Sequence, residues 1–346
     1  MCGIIGYKGK RKASEVLLKG IKNLEYRGYD SVGMTTIFNN NLETKKDKGK
    51  VEEVNKRLNF LDLDGNIGIA HTRWSTHGIP NKENSHPHLS NNKSIAVVHN
   101  GIIENYEELR KELKKLGYKF NSETDTEVIP ILIEEYCKKY EFEEALIKTL
   151  QRLKGSYSLV IIKKDSNKLI GVRKASPLIL GVGKNEFFLA SDIPAFIEYT
   201  KNVIFIEDNE LVIIDDKVRI KNFQTGKNII KKIKKIDLSF EQIEKGKFKH
   251  FMLKEIHEQP KSLIDTLSGR IINNKVFFED LKFSDYYLIN VKRIIIIACG
   301  TSYYASLIGK FIIESLAKIP VEVDYASEFR YRNPIVTKKD LVIAIS

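Results

Sequence analysis

The chain has 346 residues, 42% apolar and 29% charged, with a formal net charge of +12. That composition excludes a disordered or fibrous chain and leaves room for two domains with separate cores. Lysine is spread among glutamates rather than clustered, which argues for a lysine-rich proteome or an anionic small substrate and against a nucleic-acid face. No apolar run reaches the roughly 20 residues that span a bilayer. The basic residues of MCGIIGYKGKRK follow its short apolar segment, the reverse of a signal peptide. The three cysteines, Cys2, Cys137 and Cys299, cannot all pair within one chain, so the reading is a reducing, cytoplasmic compartment.

In chain order, MCGIIGY begins with a cysteine directly behind the initiator methionine, followed by a short apolar strand. Removal of Met1 would give Cys2 a free α-amine that titrates at about 7.7–8.0, next to a thiol that titrates at about 8.5. One residue would then carry both nucleophile and base. A buried structural cysteine satisfies the same residues. RKASEVLLKGIKNLEYRG places Val16, Leu17, Ile21 and Leu24 on one helical face. It ends in EYRGYDS, where Arg27 and Tyr29 are candidates to line or order a site. IGIAHTRW reads as a strand running into HTRWSTHG. There Arg73 can grip a carboxylate through two hydrogen bonds. Trp74 sits at the strand end, and Thr76 and His77 add hydrogen-bonding groups. A strand end with a solvated arginine explains the same residues. His71, His77, His86 and His88 match no metal-ligand spacing, and no metal is expected.

SIAVVHNG is the next strand. Asn100 and Gly101 close it before a helix, where a side-chain amide and a glycine N–H can form an oxyanion hole. A plain Asn-Gly turn is the alternative. ENYEELRKELKKLG has Tyr106, Leu109, Leu113 and Leu116 on one face and stops at Gly117. In SETDTEV, Asp125 is either a helix N-cap, as Thr124 could be, or a partner for a substrate ammonium. TEVIPILIEEYCKKY and EEALIKTLQRLKG read as helices. SYSLVIIKK, KLIGVRK, EFFLASD, VIFIE and ELVIID read as strands joined by short turns, favouring antiparallel meanders in a layered α+β domain. IIKKIKKID, the densest basic stretch, reads as a solvated strand or linker edge. The polar stretch near 238–250 reads as a linker. Beyond it, FMLKEIHEQPKSLIDTL is helical with a proline interruption. RIIIIACGTSYYASLIGKFIIESLAKI reads as a buried strand, a turn and a helix, the mark of a parallel α/β unit. Thr301 and Ser302 then lie at a helix N-terminus suited to anions; an ordinary strand–helix junction is the alternative, with Cys299 as a small buried hydrophobe. The last strand ends at Ser346, where a parallel sheet would turn into its next helix, so the second domain reads as incomplete.

MCGIIGY, EYRGYDS, HTRWSTHG, VVHNGIIENY and SETDTEV, in this order and at these separations, resemble the class II glutamine amidotransferases. Within that class, HTRWSTHG, LKEIHEQP and ACGTSYYA resemble the isomerizing glutamine–fructose-6-phosphate aminotransferases. The resemblance implies an α+β four-layer αββα N-terminal-nucleophile glutaminase domain over residues 1–239 and a linker over 240–250. An incomplete doubly wound parallel α/β sugar isomerase (SIS) domain would fill 251–346. It implies that Cys2 attacks the glutamine side-chain amide while Asn100 and Gly101 hold the oxyanion. Arg73 would bind the α-carboxylate of glutamine and Asp125 its α-amino group. Thr76 and His77 would complete the pocket, and Trp74 would gate the passage of ammonia. Thr301, Ser302 and Ser346 would bind the sugar phosphate. The implied substrates are L-glutamine and D-fructose 6-phosphate, with no metal, nucleotide or organic cofactor, no nucleic acid and no membrane. A homodimer is implied for a full-length chain, and glutaminase activity alone for this one. Ser75 and Val32 stand where the family tends to have alanine, and Tyr304 where histidine is common. Two other readings are an amidotransferase acting on phosphoribosyl pyrophosphate, disfavoured by the ACGTSYYA turn, and a non-catalytic sugar-phosphate sensor, disfavoured by the intact Cys2, Arg73, Asn100 and Asp125.

Overall fold

The computed structural model describes residues 2–75, 78–236, 248, 250–267, 270–272, 275–276 and 283–345. Its internal contacts divide the chain into two units, Met1–Lys247 and Phe248–Ser346. Among the described residues no helix is long and apolar enough to cross a membrane.

The first unit opens with strand β1 (Gly3–Lys8), helix α1 (Ala13–Asn23), strands β2 (Ser31–Phe38) and β3 (Asn41–Lys48), helix α2 (Val51–Leu58) and strand β4 (Ile67–Arg73). Strands β5 (His88–Leu89) and β6 (Ile95–Ile103) follow, then helices α3 (Tyr106–Lys115), α4 (Val128–Cys137) and α5 (Phe142–Arg152). Next come β7 (Gly155–Lys163), β8 (Leu169–Lys174), β9 (Ile179–Val182), β10 (Phe187–Ala190), β11 (Asn202–Phe205), β12 (Glu210–Ile214), β13 (Val218–Asn222), β14 (Asn228–Ile229) and β15 (Lys234–Lys235). They form an eight-stranded sheet, β15-β11-β9-β10-β1-β4-β2-β3, and a seven-stranded sheet, β14-β13-β12-β8-β7-β6-β5.

Side chains of a strand alternate between its two faces, so each strand here feeds two cores. Ile4, Ile67 and Ile69 of the first sheet meet Ala96, Val98, Val160 and Ile162 of the second in one cluster between the sheets. The alternate residues Ile5, Tyr7 and Ala70 pack with Val16, Leu17 and Ile21 of α1 on the outer face of the first sheet. On the outer face of the second, Ile95, Val97 and Ile161 pack with Leu109 of α3, Ile129 of α4 and Leu146 of α5. The result is the four-layer αββα sandwich that the resemblance implied. One detail differs from the sequence reading: the strand carrying Asn100 and Gly101 runs on to Ile103 rather than ending at the pair. The late strands pair antiparallel as expected and divide between the sheets: β9, β10 and β11 join the first, while β12, β13 and β14 join the second. The basic stretch is an exposed sheet margin, with Ile230 fully solvated and Lys231 paired to Glu207 and Glu210.

The second unit contains helix α6 (Phe251–Leu267), a two-stranded pair β16 (Ile271–Ile272) and β17 (Lys275–Val276), and helix α7 (Asp285–Ile289). Strand β18 (Arg293–Ala298), helix α8 (Gly300–Ala317), strand β19 (Val321–Tyr325), helix α9 (Ala326–Tyr331) and strand β20 (Asp340–Ile345) complete it. Helix α6 continues through Pro260, where an interruption was expected. Strand β18 lies between β19 and β20 and is parallel to both. The chain thus runs to one side of β18 and then the other, as in a doubly wound sheet. Ile294, Ile296 and Val321 form its core with Val291.

Ile69 is fully buried between the two sheets of the first unit. Ile69→Ala should lower unfolding free energy by about 2–5 kcal/mol in urea titration. A loss within ~0.5 kcal/mol, the range of surface changes, would contradict its place in that core.

Candidate active site

The two-residue period that fills the intersheet core with Ile67 and Ile69 puts His71 and Arg73 on the same face of β4. On β6 the same rule puts Asn100 on the face of Ala96 and Val98. Cys2, the residue just before β1, falls in phase with Ile4. Register brings these positions to one end of the sandwich, since Gly3 pairs with Thr72 and Ser31 with Arg73. At that end is a cavity of about 300 Å³ lined by Cys2, Arg27, Arg73, Trp74, Asn100, Gly101 and Asp125, with His86, His99, Ile102, Thr124, Thr126, Ser156, Ser176 and Pro177.

The Cys2 thiol accepts a hydrogen bond from the Trp74 backbone N–H at 3.2 Å and lies 3.5 Å from the Trp74 carbonyl oxygen. Burial raises the thiol pKa; the Trp74 N–H and the Arg73 guanidinium pull the other way without cancelling it. The thiol therefore needs a base to become a nucleophile. Asn100 Nδ2 donates to the Cys2 carbonyl oxygen at 2.8 Å, and its Oδ1 lies 3.1 Å from His71 Nε2. Gly101 has φ of +126°, and a Cβ there would stand 2.0 Å from the Ser156 carbonyl oxygen, so only glycine fits.

Arg73 is 4% exposed and donates to the Gly78 carbonyl at 3.3 Å. Burial lowers its pKa, opposed by the nearby Cys2, Asp125 and Asp30. Asp125, also 4% exposed, accepts from the Ile103 N–H at 2.7 Å. It is not the cap of α4, which begins at Val128 after Glu127. The loop that carries Asp125 is tied by Glu127, whose carboxylate accepts from the N–H groups of Asn121 and Ser122 and from the Ser122 hydroxyl. Arg27 pairs with Asp192 at 2.6 Å, at the cavity wall. Tyr29 does not line the cavity; it meets Trp74 edge-on with ring centroids 5.6 Å apart, and both rings are about half exposed.

Thr76, His77 and Ser346 lie outside the described residues. Thr301 and Ser302 are in the first turn of α8, at the carboxyl end of β18, where the strand order reverses in the second unit. Cys299 is exposed rather than a buried hydrophobe, because α8 begins immediately after it.

Sequence reasoning missed a group of packed histidines, of which His86 and His99 line the cavity and His71 and His88 do not. His86 stacks on His71 with centroids 4.2 Å apart and meets His88 edge-on at 4.7 Å. His88 Nε2 lies 3.1 Å from the Thr124 hydroxyl, and His99 Nδ1 lies 2.8 Å from the Thr126 hydroxyl. Among the described residues no group of histidine, cysteine and carboxylate side chains is arranged to hold a metal. Lys46 ties the segment that carries His86, donating to the carbonyls of Ser85 at 2.6 Å and Pro87 at 3.0 Å; burial lowers its pKa to about 8. Period two could have linked His71 to Arg73. Nothing local marks Ser156, which reaches the cavity only because it pairs with Ile102 across β6 and β7.

A buried thiol beside amide donors, faced by a buried guanidinium and a buried carboxylate, suits nucleophilic attack on the amide of an amino acid. On this fold, that arrangement defines an amidotransferase of the N-terminal-nucleophile kind. A family model described as a glutamine amidotransferase domain matches residues 71–198, and one for the SIS domain matches residues 287–346. The chain is 49% identical over its whole length to glutamine–fructose-6-phosphate aminotransferase [isomerizing] of Clostridium perfringens and 50% identical to that of Pyrococcus horikoshii. It spans 57% of the length of each of these curated relatives. The Bacillus subtilis glutamine phosphoribosylpyrophosphate amidotransferase structure, 21% identical with a TM-score of 0.60, covers 93% of this chain, which covers 65% of that one, and shares the fold. The chain thus carries a glutamine amidotransferase domain and part of an SIS domain, and it is similar over its whole length to isomerizing glutamine–fructose-6-phosphate aminotransferases.

Burial holds His71 neutral, with its pKa lowered to about 3, and pushes His86 and His88 well below the ordinary value of 6.5. The unfolded chain takes up these protons near 6.5 and the folded chain does not. The stability from keeping the rings neutral is therefore complete above about pH 6.5 and is lost as pH falls toward 3, by about 1.4 kcal/mol per pH unit for each ring once the unfolded form is protonated. Urea titrations of the first unit should show stability falling from pH 7 to pH 5, with a shallower slope in His86→Phe. An unchanged slope in that variant would contradict neutral burial of His86.

Proposed function

We infer that this chain is the glutamine-hydrolysing portion, with part of the sugar-binding portion, of an enzyme that makes D-glucosamine 6-phosphate from L-glutamine and D-fructose 6-phosphate. The observation that carries the reading is the convergence of Cys2, Arg73, Asn100 and Asp125 on one cavity. With Met1 removed, the α-amine of Cys2 takes the thiol proton, directly or through a water. The sulfur attacks the side-chain amide carbon, and the oxyanion is held by Asn100 Nδ2 and the Gly101 N–H. The carbon–nitrogen bond breaks and ammonia leaves with the proton from the amine. Water then cleaves the glutamyl thioester to give glutamate and free Cys2. Arg73 binds the α-carboxylate, Asp125 the α-ammonium, and Thr76 and His77 complete the pocket. Trp74 gates the ammonia passage, ordered by Tyr29, while Arg27 steadies the wall.

Support for the sugar side comes from the names of the relatives and from the placement of Thr301 and Ser302 at the N-terminus of an 18-residue helix. Ser346 belongs to the same proposed phosphate site. The domain limits 1–239, 240–250 and 251–346, a cytoplasmic location and a homodimer of the complete enzyme are part of this reading. No organic cofactor enters the chemistry.

Incubation of the purified chain with glutamine, with and without fructose 6-phosphate, should release glutamate without glucosamine 6-phosphate. Cys2→Ala should abolish that release. Glutamate release that persists in Cys2→Ala would overturn the mechanism, and amino-sugar synthesis by this chain alone would overturn the division of labour.

A further inference from the structure

We propose that His71 is a positioning residue for the oxyanion hole: its Nε2–H fixes which end of the Asn100 amide faces the nucleophile. This rests on the glutaminase reading above. Asn100 is useful there only if it points a donor at the reacting carbon, yet the two ends of an amide are nearly the same size. Sterics alone cannot choose between them, so hydrogen-bond partners must: the Cys2 carbonyl at the near end, and at the far end a partner that stays in place when substrate enters. That partner is His71. Its Nε2 lies 3.1 Å from Asn100 Oδ1 and 3.0 Å from the His99 carbonyl oxygen. A carbonyl oxygen accepts only, so Nε2 must carry the hydrogen, and that hydrogen requires Oδ1 at the His71 end of the amide. Nδ2 is left to point at Cys2, where it donates to the Cys2 carbonyl at 2.8 Å.

The other ring nitrogen agrees. A neutral imidazole has one N–H, and His71 Nδ1, wholly buried, has no hydrogen-bond partner among the described residues. A bare Nδ1 left without a donor is less costly than a buried N–H left without an acceptor on a ring that already has two acceptors at Nε2. The ring is clamped from behind by His86. His71 does not line the cavity and so does not touch substrate. It also joins the two sheets, since His71 is on β4 and Asn100 on β6. The same Nε2–H holds the backbone one residue before Asn100, so side chain and strand are steadied together.

The test compares the wild-type chain, His71→Leu, His71→Gln, Asn100→Ala and the double variant His71→Leu/Asn100→Ala in steady-state glutamine hydrolysis. Loss of a single oxyanion donor sets the scale, so His71→Leu should lower kcat about 100-fold with KM little changed. His71→Gln, which can still present an N–H, should recover much of that loss. Asn100→Ala and the double variant should have equal kcat, because His71 acts only through Asn100. Alkylation of Cys2 by iodoacetamide, which needs no oxyanion hole, should be the same in wild type and His71→Leu. An equal further loss from His71→Leu in the Asn100→Ala background would overturn the proposal, as would unchanged kcat in His71→Leu. If the variants do not fold, nitrogen-15 spectra of histidine-labelled wild-type chain still decide: the His71 proton belongs on Nε2, and a proton on Nδ1 overturns the proposal. A wild-type chain with no glutamine hydrolysis would instead overturn the parent reading.

Discussion

The site depends on the pairing of β1 with β4 on one side and β10 on the other. The first residues of a chain are usually the least ordered, because nothing holds them from both sides. Here the opening strand is internal to an eight-stranded sheet and its Ile4, Ile5 and Tyr7 are fully buried. Cys2 is therefore placed by a ladder of backbone hydrogen bonds rather than by a flexible arm. Its neighbours Arg73 and Trp74 are the last residue of the strand that β1 pairs with and the one after it, so the Cys2 thiol and the pocket wall are placed by the same pairing. The Trp74 N–H at the thiol follows from that register.

The electrostatics of the cavity divide by depth. At the cavity, Arg73 and Asp125 are charged groups with fixed backbone partners, suited to the two charges of an amino acid. Burial keeps His71, His86 and His88 neutral; His71 holds the Asn100 amide and His88 the Thr124 hydroxyl, both at the cavity. A cationic ring at His71 would repel Arg73. Neutral rings supply direction without charge. Cys2 falls between the two regimes, with a thiol that burial keeps protonated until a base acts on it.

The layers of the first unit were legible because helix and strand periods are strong in this chain, as in the faces of Val16, Leu17 and Ile21 or Ile67 and Ile69. Which sheet a late strand joins was not legible, because β11 and β12 have similar local patterns and differ only in distant partners. The candidate residues Cys2, Arg73, Asn100, Gly101 and Asp125 could be read because each is chemically unusual at its place in a motif. His71 was read only as a failed metal ligand. Its partner is 29 positions away on the other sheet, a relation that local spacing cannot express. Ser156, Ser176 and Pro177 reach the cavity through pairing and loop placement and leave no local mark. Cys299 was misread because its exposure is set by where α8 begins rather than by its own character.

In the proposed mechanism one residue supplies both thiol and base, held in place by β1. The most direct measurement is the rate of glutamine hydrolysis by two forms of the chain: one with Cys2 as its N-terminal residue, verified by mass, and one that retains a residue in front of Cys2. The first form should hydrolyse glutamine and the second should lose nearly all of that activity, with folding unchanged by circular dichroism. Equal kcat in the two forms would show that the α-amine is not the base and would contradict the mechanism.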